Sequence, residues 1–305
     1  MIIPGHPAPL CGVLNLNKPT GMSSRAALDH VARPLRKVKV GHAGTLDPLA
    51  SGVLVVCVGA ATRLIEYVQR MPKTYLTVIR LGARSDTDDA DGRVVEVEGA
   101  TPPDEAAVRA ALSRQVGTIA QRPPEYSALK INGQRAYDLA RAGREVVLAE
   151  RSVTIDRIDL VAYTWPRLSL EIDCGSGTYI RSIARDLGDV LGCGGIVEVL
   201  TRTRIGAFGL DDALDPLALT AESIPGLIRP ALEAVADLPR LSLDAAEVAA
   251  ILQGRALVRA APPGEVVLLG PDGLLVAVAD GVLGQDRILP RRVLAVGPGP
   301  ESQFS

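Results

Sequence analysis

Aromatic residues are scarce: two Phe, one Trp and six Tyr in a chain of 305 residues. The core must therefore be filled with aliphatic side chains, and a hydrophobic content of 47% is enough to build one. Histidine is also thin. His6, His30 and His42 form no paired ligand spacing, and Cys11, Cys57, Cys174 and Cys193 are scattered without a C-x-x-C step. These absences argue against a zinc site and against a disulfide scaffold. Cys57 falls inside the apolar run VLVVCVGAA and reads as a core residue. No apolar run approaches the roughly 20 residues of a membrane span. The opening MIIPGHPAPLCG lacks the charged-then-apolar pattern of a signal peptide. The expectation is a soluble, cytoplasmic protein of one large domain or of one large and one small.

The net charge of −2 conceals an asymmetry. Residues 1–150 hold 19 basic and 15 acidic side chains, whereas 151–305 hold 14 and 20. Within 18–42, Lys18, Arg25, Arg33, Arg36, Lys37 and Lys39 face Asp29 alone. Residues 109–144 carry seven basic groups against Glu125 and Asp138. Each stretch suits a polyanion, although a solvated helix face has the same composition.

Apolar periodicity and turn residues predict strands over 12–16, 53–58, 75–82, 168–174 and 196–205. Helices are predicted from Ser23 or Ser24 to about Leu35, and over 60–70, 104–112 and 178–191. Residues 121–134 read as irregular and basic, 135–142 as helix and 145–163 as strand. Residues 211–238, rich in Pro, Ala and Leu, read as a helical connector. Beyond 239, a short helix at Ala245–Gln253 precedes VVLLG, LLVAVAD and RVLAVG, strands parted by P-D-G and D-G turns. This predicts a larger unit over 1–238, a small β-rich domain over 239–297 and a disordered tail over 298–305.

The most unusual local feature is GHAGTLDPLASGVLVV at 41–56, where two glycines, a Thr and an Asp-Pro step precede a buried strand. On its own, Asp47 before Pro48 reads as readily as a turn residue as a reactive carboxylate. SGTYIRSIARDLG sets Tyr179 and Arg181 at a helix start, where a guanidinium can pair bidentately with a carboxylate. KTYLTVIRLG offers Tyr75 at a strand start. The acidic loop SDTDDADG departs from the EF-hand pattern and lacks its closing Glu, so calcium is not expected there.

GVLNLNKPTGMSS, GHAGTLDPLASG, KTYLTVIRLGARSDTDDADG, RPPEYSALKINGQRAYDLAR, GTYIRSIARDLG and GGIVEVLTRTRIG occur in this order. Together they closely resemble the bacterial tRNA pseudouridine-55 synthases, the TruB family, from about Gly12 to Phe208. The likeness continues more weakly into a segment resembling a PUA RNA-binding domain. It implies an α+β pseudouridine-synthase fold, with a central mixed, mostly antiparallel sheet flanked by helices and a PUA-like domain at the C-terminus. It implies isomerisation of uridine 55 in the tRNA T-loop, with tRNA bound at its T-loop and elbow. No cofactor, metal or obligate protein partner is implied, and the chain is expected to act as a monomer.

The resemblance also implies residue roles. Asp47 is the nucleophile. Arg181 keeps it charged in a desolvated pocket and aims it. Tyr75 stacks on the extruded uracil and assists removal of the C5 proton. Tyr179 and Leu200 line the pocket, and His42 fills space around the flipped base. Asp89 binds or organises the site. Lys18, Lys130 and Arg135 lie in the basic stretches beside the matching blocks and are expected to contact RNA. Residues 121–150 resemble a thumb-like insertion that closes over it. The sequence departs from the pattern in its acidic second half and in Ala43, where many relatives carry Thr. Two other classes compete with this reading: a guide-RNA-dependent pseudouridylase of the H/ACA type, and a tRNA-folding chaperone whose chemistry is dispensable.

Overall fold

The computed structural model describes residues 10–126, 130–131, 134–135 and 148–294. In chain order the first elements are β1 (Gly12–Lys18), α1 (Ser24–Leu35), β2 (Val40–His42), β3 (Ser51–Val58), α2 (Ile65–Arg70), β4 (Lys73–Leu81), β5 (Ala83–Ser85), β6 (Val94–Glu96), α3 (Glu105–Ser113) and β7 (Gly117–Gln121). There follow β8 (Lys130–Ile131), β9 (Gln134–Arg135), β10 (Arg151–Thr164), β11 (Arg167–Cys174), α4 (Ile180–Val190), β12 (Gly195–Ile205) and β13 (Phe208–Gly209). The last elements among the described residues are α5 (Ile224–Leu227), β14 (Arg240–Ser242), α6 (Ala245–Leu252), β15 (Gly264–Leu269), β16 (Leu275–Gly281) and β17 (Ile288–Val293).

The main sheet runs β1-β3-β12-β4-β11-β10-β7, with β2 added to β3 and β13 to β12. Its pairs are antiparallel except β3 with β12, so the sheet is mixed and mostly antiparallel, as expected. The run VLVVCV is apolar at every position because β3 is central and covered on both faces, and all six residues are fully buried. On one face α1 packs through Ala27, Leu28, Val31 and Leu35 against Leu14, Leu16, Leu54 and Val56. Ser23 starts that helix by accepting the Ala26 amide at 3.1 Å. In another part of the sheet, α4 packs Ile180, Ile183, Ala184 and Leu187 against Ile79, Leu168 and Leu170. The spacing of these four is that of one helical face.

A smaller sheet, β14-β15-β16-β17, with α6 beside it, forms the β-rich C-terminal region. Asp244 and Glu247 close a capping box at the start of α6. Its β17 covers Ile288–Val293 rather than RVLAVG, and residues 298–305 lie outside the described residues. The boundary expected near 238 is not a gap in packing. Val267, Val278 and Leu294 of the C-terminal region share one buried cluster with Val13, Tyr67, Met71 and Phe208.

Other expectations change in detail. Residues 211–238 connect through three short helical pieces, the 3₁₀ helices Pro216–Ala218 and Ala231–Val235 and the four-residue α5, rather than one continuous helix, because Pro216, Pro225 and Pro230 interrupt any longer run. The acidic segment is spanned by the β5–β6 pair. Within 121–134, read as irregular, Lys130 pairs with Arg135 and Ile131 with Gln134 in a small hairpin. The helix expected at 135–142 lies outside the described residues.

Candidate active site

Asp47 stands on the loop between β2 and β3, and that loop is braced on three sides. The Ser24 hydroxyl donates to the Leu46 carbonyl at 2.9 Å and accepts the Leu46 amide at 2.7 Å. The Gly21 amide donates to the Pro48 carbonyl at 2.8 Å. Arg202, almost wholly buried on β12, donates from Nη2 to the Gly44 carbonyl at 3.1 Å and from Nε to the Val53 carbonyl at 2.8 Å. Gly52 has φ +103°, and a Cβ there would lie 2.2 Å from the Arg202 carbonyl oxygen. Only glycine lets β3 run this close to β12.

The loop forms one wall of a cleft of about 600 Å³ whose lining includes Asp47, Tyr75, Tyr179, Arg181, Leu200 and Arg202. Strand register explains the grouping. Tyr75 lies directly opposite Arg202 across the β4–β12 pair, and Leu200 lies two residues along β12 on the same face. Tyr179 and Arg181 arrive from the start of α4.

Arg181 is 5% exposed and meets two carboxylates. Its Nη2 is 2.9 Å from Asp47 Oδ2 and its Nη1 is 3.4 Å from Asp89 Oδ2. It also donates to the carbonyls of Thr87 and Tyr126, each at 2.9 Å. A cation in a helix's first turn opposes the helix dipole by about 0.3–1 kcal/mol. Stripping a partner from a buried ion pair costs about 3–5 kcal/mol, so the pairing decides where Arg181 sits. The Asp47 side chain remains 40% exposed toward the cleft while that of Arg181 is 6% exposed. The result is an accessible carboxylate aimed by a concealed guanidinium.

Asp89 is 4% exposed, accepts from the Thr87 hydroxyl and from the Asp91 amide at 3.1 Å, and braces Arg181 from behind. Burial pushes its carboxyl above the usual range, against the pull of Thr87 and Arg181. Arg185 ties α4 to the same loop through Asp88 at 2.9 Å and to the segment after β7 through the Arg122 carbonyl at 2.8 Å. Asp88 and Asp89 are thus engaged by arginines, a hydroxyl and an amide, and no group of metal-ligating side chains forms among the described residues.

Other expected site residues sit elsewhere. His42, on β2, lies outside the cleft lining, and burial, followed by the charges of Arg202 and Arg25, pushes its imidazole below the usual value. Lys18, expected to contact RNA, is wholly buried. Its ammonium donates to the Pro19 carbonyl at 3.0 Å and the Met22 carbonyl at 2.6 Å, and burial pushes it down to about 8. Lys18 braces the chain leaving β1, its ammonium turned to these carbonyls rather than to solvent. For Lys130 and Arg135 the backbone hairpin is described, and their side chains lie outside the description.

A family model described as TruB family pseudouridylate synthase (N terminal domain) matches residues 32–180. A tRNA pseudouridine synthase B of Aromatoleum aromaticum is 44% identical over 261 residues, covering 85% of this chain and 84% of the relative. The chain belongs to the TruB family. A tRNA pseudouridine synthase B of Burkholderia mallei is 41% identical over 296 residues, covering 92% and 97%. Among solved structures, a Cbf5-Nop10-Gar1 complex matches with TM-score 0.73 at 24% identity, covering 93% of this chain and 85% of the other. An H/ACA RNP bound to a substrate RNA containing 2'-deoxyuridine matches with TM-score 0.71 at 23% identity, covering the same shares. These two likenesses speak to the fold alone.

This TruB family chain has two cleft residues that the sequence did not single out. Arg202 was hidden in the alternating TRTR of β12, which looks like a solvated edge, and its carbonyl partners lie 149 and 158 residues away. Lys73, 7% exposed, lines the cleft two residues before Tyr75 on the same face of β4. Burial pushes its ammonium down to about 8. The sequence signal for it is the block KTY, where the lysine stands two residues before Tyr75.

Proposed function

We propose that the chain converts uridine 55 in the T-loop of tRNA to pseudouridine, with Asp47 as nucleophile. The observation that supports this most strongly is the half-exposed Asp47 carboxylate held at 2.9 Å by the buried Arg181 on one wall of a nucleotide-sized cleft. The reaction breaks C1′–N1, forms C5–C1′, releases the C5 proton and protonates N1. It is balanced without oxidant, reductant or cofactor. Attack at C1′, addition at C6 and elimination to a glycal all engage the same carboxylate.

The target base must leave its stack at a cost of a few kcal/mol, which contacts to the rest of the RNA offset. Tyr75, Tyr179 and Leu200 supply the surface that receives it. Burial holds the Tyr75 phenol above its usual value, so its hydroxyl is protonated at neutral pH. On this reading Tyr75 stacks on the extruded uracil and assists removal of the C5 proton. Asp89 acts through Arg181 as a positioning residue. On this reading the chain acts as a monomer in the cytoplasm, without an obligate protein partner. Residues 1–238 serve as the catalytic domain and 239–297 as a PUA-like domain that helps hold tRNA.

The test is incubation of the pure protein with an unmodified tRNA transcript, with EDTA present, followed by mapping of pseudouridine. Product at T-loop position 55 is expected. Product at another position removes the substrate assignment, and loss of product on EDTA treatment with tRNA still folded removes the metal-free part.

Salt dependence tests the RNA-binding surface. Arg33, Arg36, Lys37 and Lys39 are exposed, unlike Lys18. Replacing a phosphate-contacting member of this group by Gln should lower the slope of log affinity against log salt by about 0.7 for single-stranded RNA. Lys18→Met should leave the slope unchanged. A slope that falls in Lys18→Met and stays constant in all four surface variants would place the RNA elsewhere.

A further inference from the structure

The short helix α2 has two faces, and each touches a different part of the molecule. Glu66, Gln69 and Arg70 border the cleft. Tyr67 turns the other way, 6% exposed, into the cluster shared with Val267, Val278 and Leu294 of the C-terminal region. A helix of six residues has little stability of its own. Its position is set by what grips it.

The grip comes from both sides. Inside, the Lys73 ammonium donates to the carbonyls of Gln69 and Met71 at the helix C-terminus. Outside, Glu265 on β15 accepts from the Tyr67 hydroxyl at 3.0 Å, from Arg70 Nη1 at 2.9 Å and from Arg291 Nη1 at 2.9 Å. Arg292 on β17 donates from Nε to Glu66 Oε1 at 3.0 Å. The Arg70 guanidinium lies 5.1 Å above the Tyr67 ring. Burial, with the Glu265 carboxylate next, pushes the Tyr67 phenol up to about 12, so it remains a donor at neutral pH.

Counting Asp280, 3.6 Å from Arg291, the network holds three carboxylates and three guanidiniums. It presents no net charge to an anionic substrate. Its contribution is therefore placement of the helix, not attraction of RNA.

We propose that the C-terminal domain is a working part of the catalytic cleft, with Glu265 as the positioning residue that fixes α2 through Tyr67 and Arg70. From α2 the constraint passes to Lys73, and along β4 to Tyr75. This rests on the functional reading above. A displacement of about 1 Å in a substrate-positioning wall can cost about 10²-fold in rate, so a partial loosening should be measurable.

The test uses the full chain. Glu265→Gln keeps the side-chain shape and removes the charge that holds Arg70 and Arg291. Its single-turnover rate at saturating tRNA is expected to fall about tenfold, with tRNA affinity within about threefold and the protein folded by circular dichroism. Arg70→Gln should show a similar loss, and the double variant should fall short of the product of the two single losses, because both act through one network that shares the Glu265–Arg70 pair. A network that merely stabilised the fold would lower the melting temperature and leave the saturating rate untouched wherever the variants are folded. Wild-type rates in both folded variants, or losses that multiply in the double, overturn the proposal. If Glu265→Gln does not fold, Arg292→Gln releases Glu66 from the same interface. That variant should then show the rate loss together with faster amide exchange over residues 65–71, and an unchanged rate overturns the proposal. Failure of the functional reading is distinct, because the wild-type protein itself would then make no pseudouridine.

Discussion

Replacing Asp47 with Asn is expected to lower pseudouridine formation by roughly 10⁴-fold or more, while tRNA binding stays within about tenfold, or ~1.4 kcal/mol. Asn keeps the size of the side chain and one acceptor oxygen, so the braced loop and its Ser24 and Arg202 contacts are undisturbed. What is lost is the negative charge and the capacity to form and release a covalent adduct. A nucleophile acts in the transition state far more than in ground-state binding, so rate and affinity should separate. The same variant distinguishes an enzyme from a folding chaperone. Chaperoning needs the tRNA-binding surface and survives the substitution, whereas isomerisation does not. Turnover by Asp47→Asn at more than a small fraction of the wild-type rate, free of wild-type contamination, would remove Asp47 from the mechanism.

Arg181→Lys is expected to cost about 10²-fold or more in turnover and to lower the melting temperature. The guanidinium spans Asp47, Asp89 and two backbone carbonyls from one planar group. An ammonium carries the same charge but cannot reach all four in that geometry. The Asp89 carboxylate, 4% exposed, would be left short of a partner. Breaking a buried pair costs about 3–5 kcal/mol. If about 3 kcal/mol of that appears in the barrier, the rate falls by about 10²-fold. A Lys variant within tenfold of wild type in turnover would show that charge alone suffices and that the fork geometry is incidental.

The parts of the molecule legible in the sequence share a physical feature: their signal is local. The apolar run of β3 announces a strand covered on both faces. The spacing of Ile180, Ile183, Ala184 and Leu187 announces the buried face of α4, and Ser23 announces the cap of α1. Asp47 and Arg181 were legible through the order of the motif blocks, since nothing local says that a turn aspartate and a helix-start arginine meet. The failures are of the opposite kind. Lys18 reads as an RNA contact because it stands in a basic stretch beside a motif block, yet the chain folds over it and supplies two carbonyls. Arg202 looked like one of several strand arginines, and only the close approach of β3 to β12 reveals it as a brace of the Asp47 loop. The connector after 211 is helical, as its Ala and Leu content implies, but the prolines at 216, 225 and 230 cut it into short pieces. Shared packing across residue 238 leaves no mark in composition at all, because Val267, Val278 and Leu294 would look the same in a free-standing domain.

The claim that this cleft isomerises uridine is tested most directly by tritium release from a tRNA transcript labelled at uridine C5. When C5 bonds to C1′, its hydrogen must leave to solvent. The wild-type protein is predicted to release one tritium per tRNA, none from a transcript with cytidine at position 55, and Asp47→Asn is predicted to release none on the same timescale. Release from the position-55 cytidine transcript, or release by Asp47→Asn at the wild-type rate, would contradict the assignment of substrate and nucleophile respectively.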